Sequence, residues 1–366
     1  MKRKLLASII LIAVLVCSLV SCGGKYKPVS STDEELTQIM QIKTEDSEYT
    51  VRYELYRALF LTYKSEIDGG DASVWSGENK DFYIEKINGI ILSRIAEIYS
   101  VFSIAKEIGI DVYSKKYDDA VKEYVKVGVE GGIYNSVIYS GFGGDYEKYL
   151  QSLSEMNLNY STSDLLFRYT MALDEIYYYY GGNVENDAFM GNLSYTKEDV
   201  EDFYFGNGSR RVMSLFLSTS TASFTKDRAE QIRFLVSLSK NADEALYAMI
   251  NYSTLGEGDL KDGIMIGQHS LDPLYYSELS EAALSLAPGE TSEVIEIATG
   301  SNNGFFILFC MEKSEEHFNN SYAAIADAYV ENEIGKILFE RAEAIKAAVE
   351  YKDAFSALDY AEIKMP

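Results

Sequence analysis

The stretch LSEAALSLAPGETSEVIEIATGSNNGFFILF, residues 279–309, decides how the second half of the chain reads. It opens inside a helical pattern that runs from Leu274 to Leu286 and turns at Pro288-Gly289. It then continues as two runs rich in apolar, β-branched and aromatic residues, TSEVIEIAT and GFFILFCMEK. Two such runs with a turn between them predict a closing pair of strands. Working outward, RVMSLFLS (residues 211–218) reads as another strand, residues 226–253 as two helices, and GIMIGQ (263–268) as an extended piece. Strand, helices, helix, strand, strand in a little over a hundred residues suggest a small α+β domain over residues 196–316. Its last strand ends on Cys310, whose nearest cation in sequence is Lys313. A reactive thiolate needs more positive neighbours than that, so Cys310 reads as a small buried hydrophobe.

Upstream the apolar spacing is helical. Ile84, Ile87, Ile91, Ile95, Ile98, Phe102 and Ala105 recur in steps of three and four, which puts them on one face of a long helix. Shorter helical patterns occupy YTVRYELYRALFLTYK, YSKKYDDAVKEYVKVG, GDYEKYLQSLSEMN and STSDLLFRYTMALDEIYYYY. Ser161 and Asp164 have capping spacing at the last of these, as do Thr196 and Asp199 at a further short helix. Residues 46–195 therefore read as an all-helical module. Past the α+β domain, Ile325, Tyr329, Ile334, Leu338, Ala342, Ile345 and Val349 line one face of a terminal helix within residues 317–366. A helix of that length needs a partner surface, and the helical module is the obvious one. The expected class is α+β overall, mostly α. Of the 30 tyrosines, Tyr177 to Tyr180 are consecutive, so at least one of them must leave the core.

At the amino end Lys2, Arg3 and Lys4 precede an apolar run, Leu5 to Val20, that closes in LVSC. This is the layout of a secretory signal. Leu19-Val20-Ser21-Cys22 has the form of a lipobox, in which small residues before a cysteine allow lipid attachment to its sulfur and cleavage before it. A membrane-spanning anchor would need about 20 apolar residues, and this run is shorter. The expectation is a signal over residues 1–21, a lipid on Cys22, and a polar tether over residues 22–45. The protein would be extracytoplasmic and held to the membrane by that lipid. Cys17 would be discarded, leaving Cys310 as the free thiol and no intramolecular disulfide. Losing Lys2, Arg3 and Lys4 makes a formal charge of -24 three units more negative, which argues against nucleic acid as a partner. The two histidines, His269 and His317, stand apart and the carboxylates are dispersed, so no metal is predicted. GEGDLKDG lacks the Lys-Ser/Thr ending of a phosphate loop, and no other cofactor is predicted.

Taken together, this order resembles the PrsA-type and SurA-type extracytoplasmic foldases: an anchor or signal, a helical chaperone module, an inserted parvulin-like (PpiC-type) domain, and a last helix completing the module. In the helical part the matching pieces are Tyr53-Glu54-Leu55-Tyr56-Arg57 and Ala105-Lys106-Glu107-Ile108-Gly109-Ile110-Asp111-Val112. In the domain, Leu279, Ala282, Leu286, Gly289, Glu290 and Ser292 match a parvulin phrase of the type Phe-x-x-Ala-x-x-x-Leu-x-x-Gly-Glu-x-Ser. The resemblance implies a prolyl isomerase fold with two strand histidines. Ser214 stands at the first position and Phe306 at the second. A third polar group would come from the glycine-rich turn, where Asp259 and Asp262 are equally good frames. Tyr275 and Leu279, with Leu284 behind them, match the apolar peptide-binding residues.

Rotation about an Xaa-Pro bond crosses a barrier of roughly 18–20 kcal/mol, lowered when polar groups stabilise the twisted amide. Phenylalanine supplies no such group. The primary expectation is a chaperone that binds exported, unfolded polypeptides through a catalytically silent parvulin-like domain. An active isomerase using Asp259, Asp262 or Tyr275 is the first alternative. A non-chaperone binding or scaffold lipoprotein is the second, and a homodimer is left open.

Overall fold

The structure, a computed structural model, describes residues 26–45, 47–134, 137–182, 191–219, 224–253, 257–270, 277–297 and 304–365. The chain forms two compact units, one ending at Ile176 and resuming at Leu338, the other running from Tyr177 to Ile337.

In the first unit the first regular elements among the described residues are strands. Strand β1 (Gln38–Lys43) pairs antiparallel with β2 (Glu48–Arg52), and Ile39, Met40 and Ile42 are buried. The tether expected over residues 22–45 is therefore corrected in its second half, because these apolar side chains belong to the core. The helix expected from Tyr49 starts later, as α1 (Tyr53–Asp68), since Tyr49-Thr50-Val51 joins the sheet. A 3₁₀ turn at Ala72–Trp75 leads to α2 (Lys80–Glu107). Ile87, Ile91, Ile95, Ile98, Phe102 and Ala105 are buried along α2, and Ile84 is half-buried. This is the one described helix long and apolar enough to cross a membrane, but most of its apolar window is buried in the fold. Then come α3 (Lys115–Glu130), the hairpin β3 (Gly132–Tyr134) and β4 (Val137–Tyr139), α4 (Tyr146–Glu155) and α5 (Tyr160–Gly181). The module expected to be all-helical thus contains strands. Tyr178 is the exposed member of the tyrosine run.

Helix α5 is capped by Asn159, whose Oδ1 accepts from Thr162 N at 2.8 Å while Thr162 Oγ1 accepts from Asn159 N at 2.9 Å. Ser161, expected in that role, donates instead to Glu54 Oε1 at 3.0 Å. The reason is a buried polar network. Arg57 Nη2 donates to Glu35 Oε1 at 2.6 Å with both side chains buried. Asn159 Nδ2 donates to Glu35 and to Glu54, each at 3.0 Å. Buried charges survive when paired and hydrogen-bonded in this way.

In the second unit, α6 (Lys197–Phe205) opens with the Thr196–Asp199 capping box. Strand β5 (Ser209–Ser218) follows, then α7 (Lys226–Ser237), α8 (Ala242–Met249), α9 (Glu257–Asp262), β6 (Ile264–Gly267), α10 (Ser277–Ser285), β7 (Ile295–Ile297) and β8 (Gly304–Met311). The sheet has the order β6-β5-β8-β7 and every pairing is antiparallel. One face carries Met213, Leu215, Leu217, Phe305, Ile307 and Phe309 against Ala229, Ile232 and Val236 of α7 and Ala245 and Met249 of α8. The other carries Val212, Leu308 and Cys310 against Leu279, Ala283 and Leu286 of the α10 segment. Covering both faces explains why these strands read as nearly unbroken apolar runs.

Next come α11 (Glu315–Asn320) and α12 (Tyr322–Ala347). Phe318, Ile325 and Ala326 pack with Val200 and Tyr204 of α6. The division between the units consequently falls within α12, at Ile337/Leu338, not after residue 316. The tail then supplies β9 (Val349–Tyr351), which pairs with β1 and makes β1 the centre of the sheet β2-β1-β9, and α13 (Asp353–Ser356). Arg341, beyond the division, binds Ser103 and Glu107 of α2. At the level of class the molecule is α+β and mostly α.

The Glu35 carboxyl is opposed by burial, but the Thr32 N–H, Arg57 and Asn159 outweigh that and hold it down at about 2. A depressed carboxylate contributes stability that is present above its unfolded value, roughly 4.3, and is lost as pH falls through the folded one. Glu35→Gln is therefore expected to be less stable than the parent at neutral pH, with the gap narrowing between about pH 4.5 and 2. Urea unfolding at a series of pH values measures it, and a pH-independent gap would contradict the assignment.

Candidate functional site

Residues opposite one another in an antiparallel ladder project to the same face. Ser214 pairs with Leu308 and Phe216 with Phe306, so Ser214, Phe216, Phe306, Leu308 and Cys310 share the face covered by α10. The structure thus brings Ser214 and Phe306 together as diagonal neighbours on adjacent strands. On this face Phe306 has aromatic company: its ring centroid lies 4.7 Å from that of Phe216, and its partner on the other side is Ile295 of β7. Gly304 makes this possible. A Cβ there would come within 2.4 Å of Phe216 Cε2 and 2.6 Å of the Leu217 carbonyl oxygen.

The segment after α10 is fastened to β8 by the residues that carried the resemblance. Gly289 adopts φ +87° and its N–H donates to the Cys310 carbonyl at 2.8 Å. Glu290 Oε2 accepts from Ala287 N at 2.8 Å, closing the turn on itself. Ser292 Oγ accepts from Leu308 N at 3.0 Å, and its own N–H donates to the Leu308 carbonyl. These residues hold the strand that bears Phe306. Cys310 is buried in the same layer, and burial, more than any neighbour, pushes its thiol up.

Of the remaining predicted residues, Leu279 lies in the same layer and Asp262 outside it. Leu279, expected to line a peptide cleft, is 1% exposed and packs with Val212, Ile266 and Cys310; its helix face is spent on the core. Leu284 is half-buried on α10. Asp262 ends α9 exposed, and its carbonyl accepts from Arg211 Nε at 3.0 Å. Arg211 alternates with Met213 onto the opposite face from Ser214, so Asp262 is not gathered with Ser214 and Phe306. Asp259 lies within α9, but its side chain is outside the described residues, as are Tyr275 and Cys22. Neither histidine joins the sheet. His269, in the turn after β6, donates its N–H to Asn332 Oδ1, and His317 of α11 has its Nδ1 3.0 Å from the hydroxyl of Tyr204 on α6.

A polar cluster that sequence patterning missed sits where β8 ends. Lys313 Nζ donates to the carbonyls of Gly206 and Ser209, each at 2.9 Å. Burial first, and then Arg210, bring its ammonium down to about 8. Its position directly after an apolar strand was the available signal. It joins α6 to β8 and lies away from Phe306. Among the described residues no group of three His, Cys, Asp or Glu side chains is arranged to hold a metal.

Among the described residues, Phe306 is packed by Phe216 and Ile295 with the Ser214 hydroxyl diagonal to it, and no imidazole stands beside it to stabilise a twisted amide or to activate a nucleophile. Two outcomes follow from its packing. Cys310 should resist aromatic disulfide reagents in the native chain and react promptly in denaturant; fast native labelling would mean the face is open. Gly304→Ala should destabilise the chain by about 1–3 kcal/mol through overpacking, read as a shift in urea midpoint at constant slope.

No protein-family model matches the chain, and no curated protein sequence is matched. Solved structures do match. Foldase protein PrsA from Streptococcus pneumoniae str. Canada MDR_19A is 16% identical over 77% of this chain and 95% of its own, with a TM-score of 0.31. PrsA from Bacillus subtilis is 16% identical over 86% of this chain and 92% of its own, at 0.24. The peptidylprolyl isomerase PrsA from Bacillus anthracis is 16% identical over 71% of this chain and all of its own, at 0.25. Similarity of this size leaves the functional reading to the chain's own residues.

Proposed function

We propose that the protein is a membrane-anchored, extracytoplasmic chaperone of the foldase type that binds exported, unfolded polypeptides and does not turn their prolyl bonds. The observation that carries this reading is Phe306, packed between Phe216 and Ile295 where the parvulin resemblance implies a histidine. With Ser214 diagonal to it and the Asp262 carbonyl held by Arg211 of the opposite face, the described residues of this face offer apolar surface and no imidazole pair for prolyl rotation. Binding without turnover is supported further by Phe234, Leu235 and Leu238 of the α7 segment and by Tyr247 of α8, all exposed. Rings and aliphatic side chains held at a surface suit contact with chains of varied sequence.

The test measures two activities of the unlipidated mature chain. The cis-to-trans rate of an Xaa-Pro peptide, tens of seconds when uncatalysed, should be unchanged by added protein. Aggregation of a chemically denatured protein should be suppressed at near-stoichiometric ratios, and suppression should weaken several-fold in Phe234→Ser/Leu238→Ser. A rate that rises in proportion to protein would instead establish an active isomerase. Unchanged rate together with no suppression would leave a scaffold lipoprotein.

A further inference from the structure

We infer that the β3–β4 hairpin is a second membrane contact, dipping shallowly into a neutral lipid surface beside the anchor; this rests on the reading of Cys22 as the lipid-bearing residue. Ile133 and Ile138 are direct cross-strand partners and are 66% and 80% exposed. Partners of that kind have Cβ atoms about 4.5–5.5 Å apart, so the two side chains make one apolar spot. They lie in GGIYNSVIYSGFGG, residues 131–144, a run without a charged residue in a chain that is 25% charged. Tyr134 and Tyr139 flank the pair and pack at the edge of the core beneath, the amphipathic arrangement that aromatic residues adopt at a membrane interface.

Tyr26, the first described residue after Cys22, lies at the same place. Tyr26 packs against that same core edge, its hydroxyl donates to Glu130 Oε1 at 2.7 Å, and its ring lies 5.3 Å from that of Tyr146. Glu130 is the last residue of α3, with β3 beginning two residues on. Cys22 is four residues before Tyr26, so an extended chain separates them by at most about 15 Å. A lipid on Cys22 therefore brings the bilayer to the side of the unit that displays Ile133 and Ile138. Depth is limited, because a two-stranded hairpin keeps unpaired backbone groups on both edges that hydrocarbon would not satisfy. The contact belongs at the headgroup boundary, about 5–10 Å deep. The acidic chain disfavours anionic lipid, so the apolar pair, not charge, drives the contact.

The full-length lipidated protein is reconstituted with phosphatidylcholine vesicles after placing an environment-sensitive fluorophore at Ser140→Cys or, as a control, at exposed Lys115→Cys; buried Cys310 stays unlabelled. Spin-labelled lipids should quench the label at residue 140 roughly three-fold more than at residue 115, and Ile133→Asp/Ile138→Asp should abolish the difference while circular dichroism stays unchanged. Equal quenching at both sites in protein that floats with the vesicles and carries lipid on Cys22 overturns the hairpin contact and leaves the anchor intact. Protein that neither carries lipid nor floats overturns both. A residue-140 label that is unquenched by lipid but cross-links between copies assigns the hairpin to self-association and also overturns the proposal.

Discussion

The second unit hangs on the register of one antiparallel ladder. Eight residue pairs, from Arg211–Met311 to Ser218–Gly304, join β5 to β8, and the side-chain period of two then assigns every residue of both strands to a face. A slip of one residue would exchange the two sets and place Phe305 and Phe309 where Phe306 and Cys310 belong. Gly304 and the Ser292–Leu308 pairing resist that slip, the first by leaving room for the Phe216 ring and the second by pinning the backbone of β8. The apolar character of the candidate site follows from that register together with the identities at residues 214 and 306.

The first unit is closed differently, by contacts between the two ends of the chain. β1 takes β2 on one edge and β9 on the other. The Glu35–Arg57 pair and its Asn159 bridge fasten the amino segment to α1 and to the start of α5. A buried ion pair of this kind adds less net stability than its geometry suggests, since both charges give up water. Its effect is orientation: one carboxylate, one guanidinium and one amide are satisfied together only when three remote segments meet.

Much of this was legible from residue order, and the failures were of one kind. The buried face of α2, the Thr196–Asp199 cap, the apolar strands and the burial of Cys310 follow from local spacing and composition, which the chain carries within a few turns. The misread tether and the late start of α1 involve Met40 and Val51, whose strand character depends on partners at Tyr351 and across a short turn. Ser161 looked like a cap because its spacing to Asp164 is right; Asn159 won because Glu54, about a hundred residues earlier, takes the Ser161 hydroxyl. Leu279 likewise has an apolar residue's ambiguity, which packing under the sheet resolved in favour of the core.

The amino-acid order by itself determined that the positions where the resemblance implies histidines hold serine and phenylalanine, that the chain is strongly acidic, and which helix faces are apolar. Only the tertiary structure decided that Ser214 and Phe306 are neighbours on one face, that Asp262 lies apart from them, and that β1 is a central strand. The physical reason is range. Periodicity and capping are set by interactions a few residues long, whereas register, burial on both faces of a sheet and the meeting of remote polar groups depend on chain segments whose proximity exists only after folding.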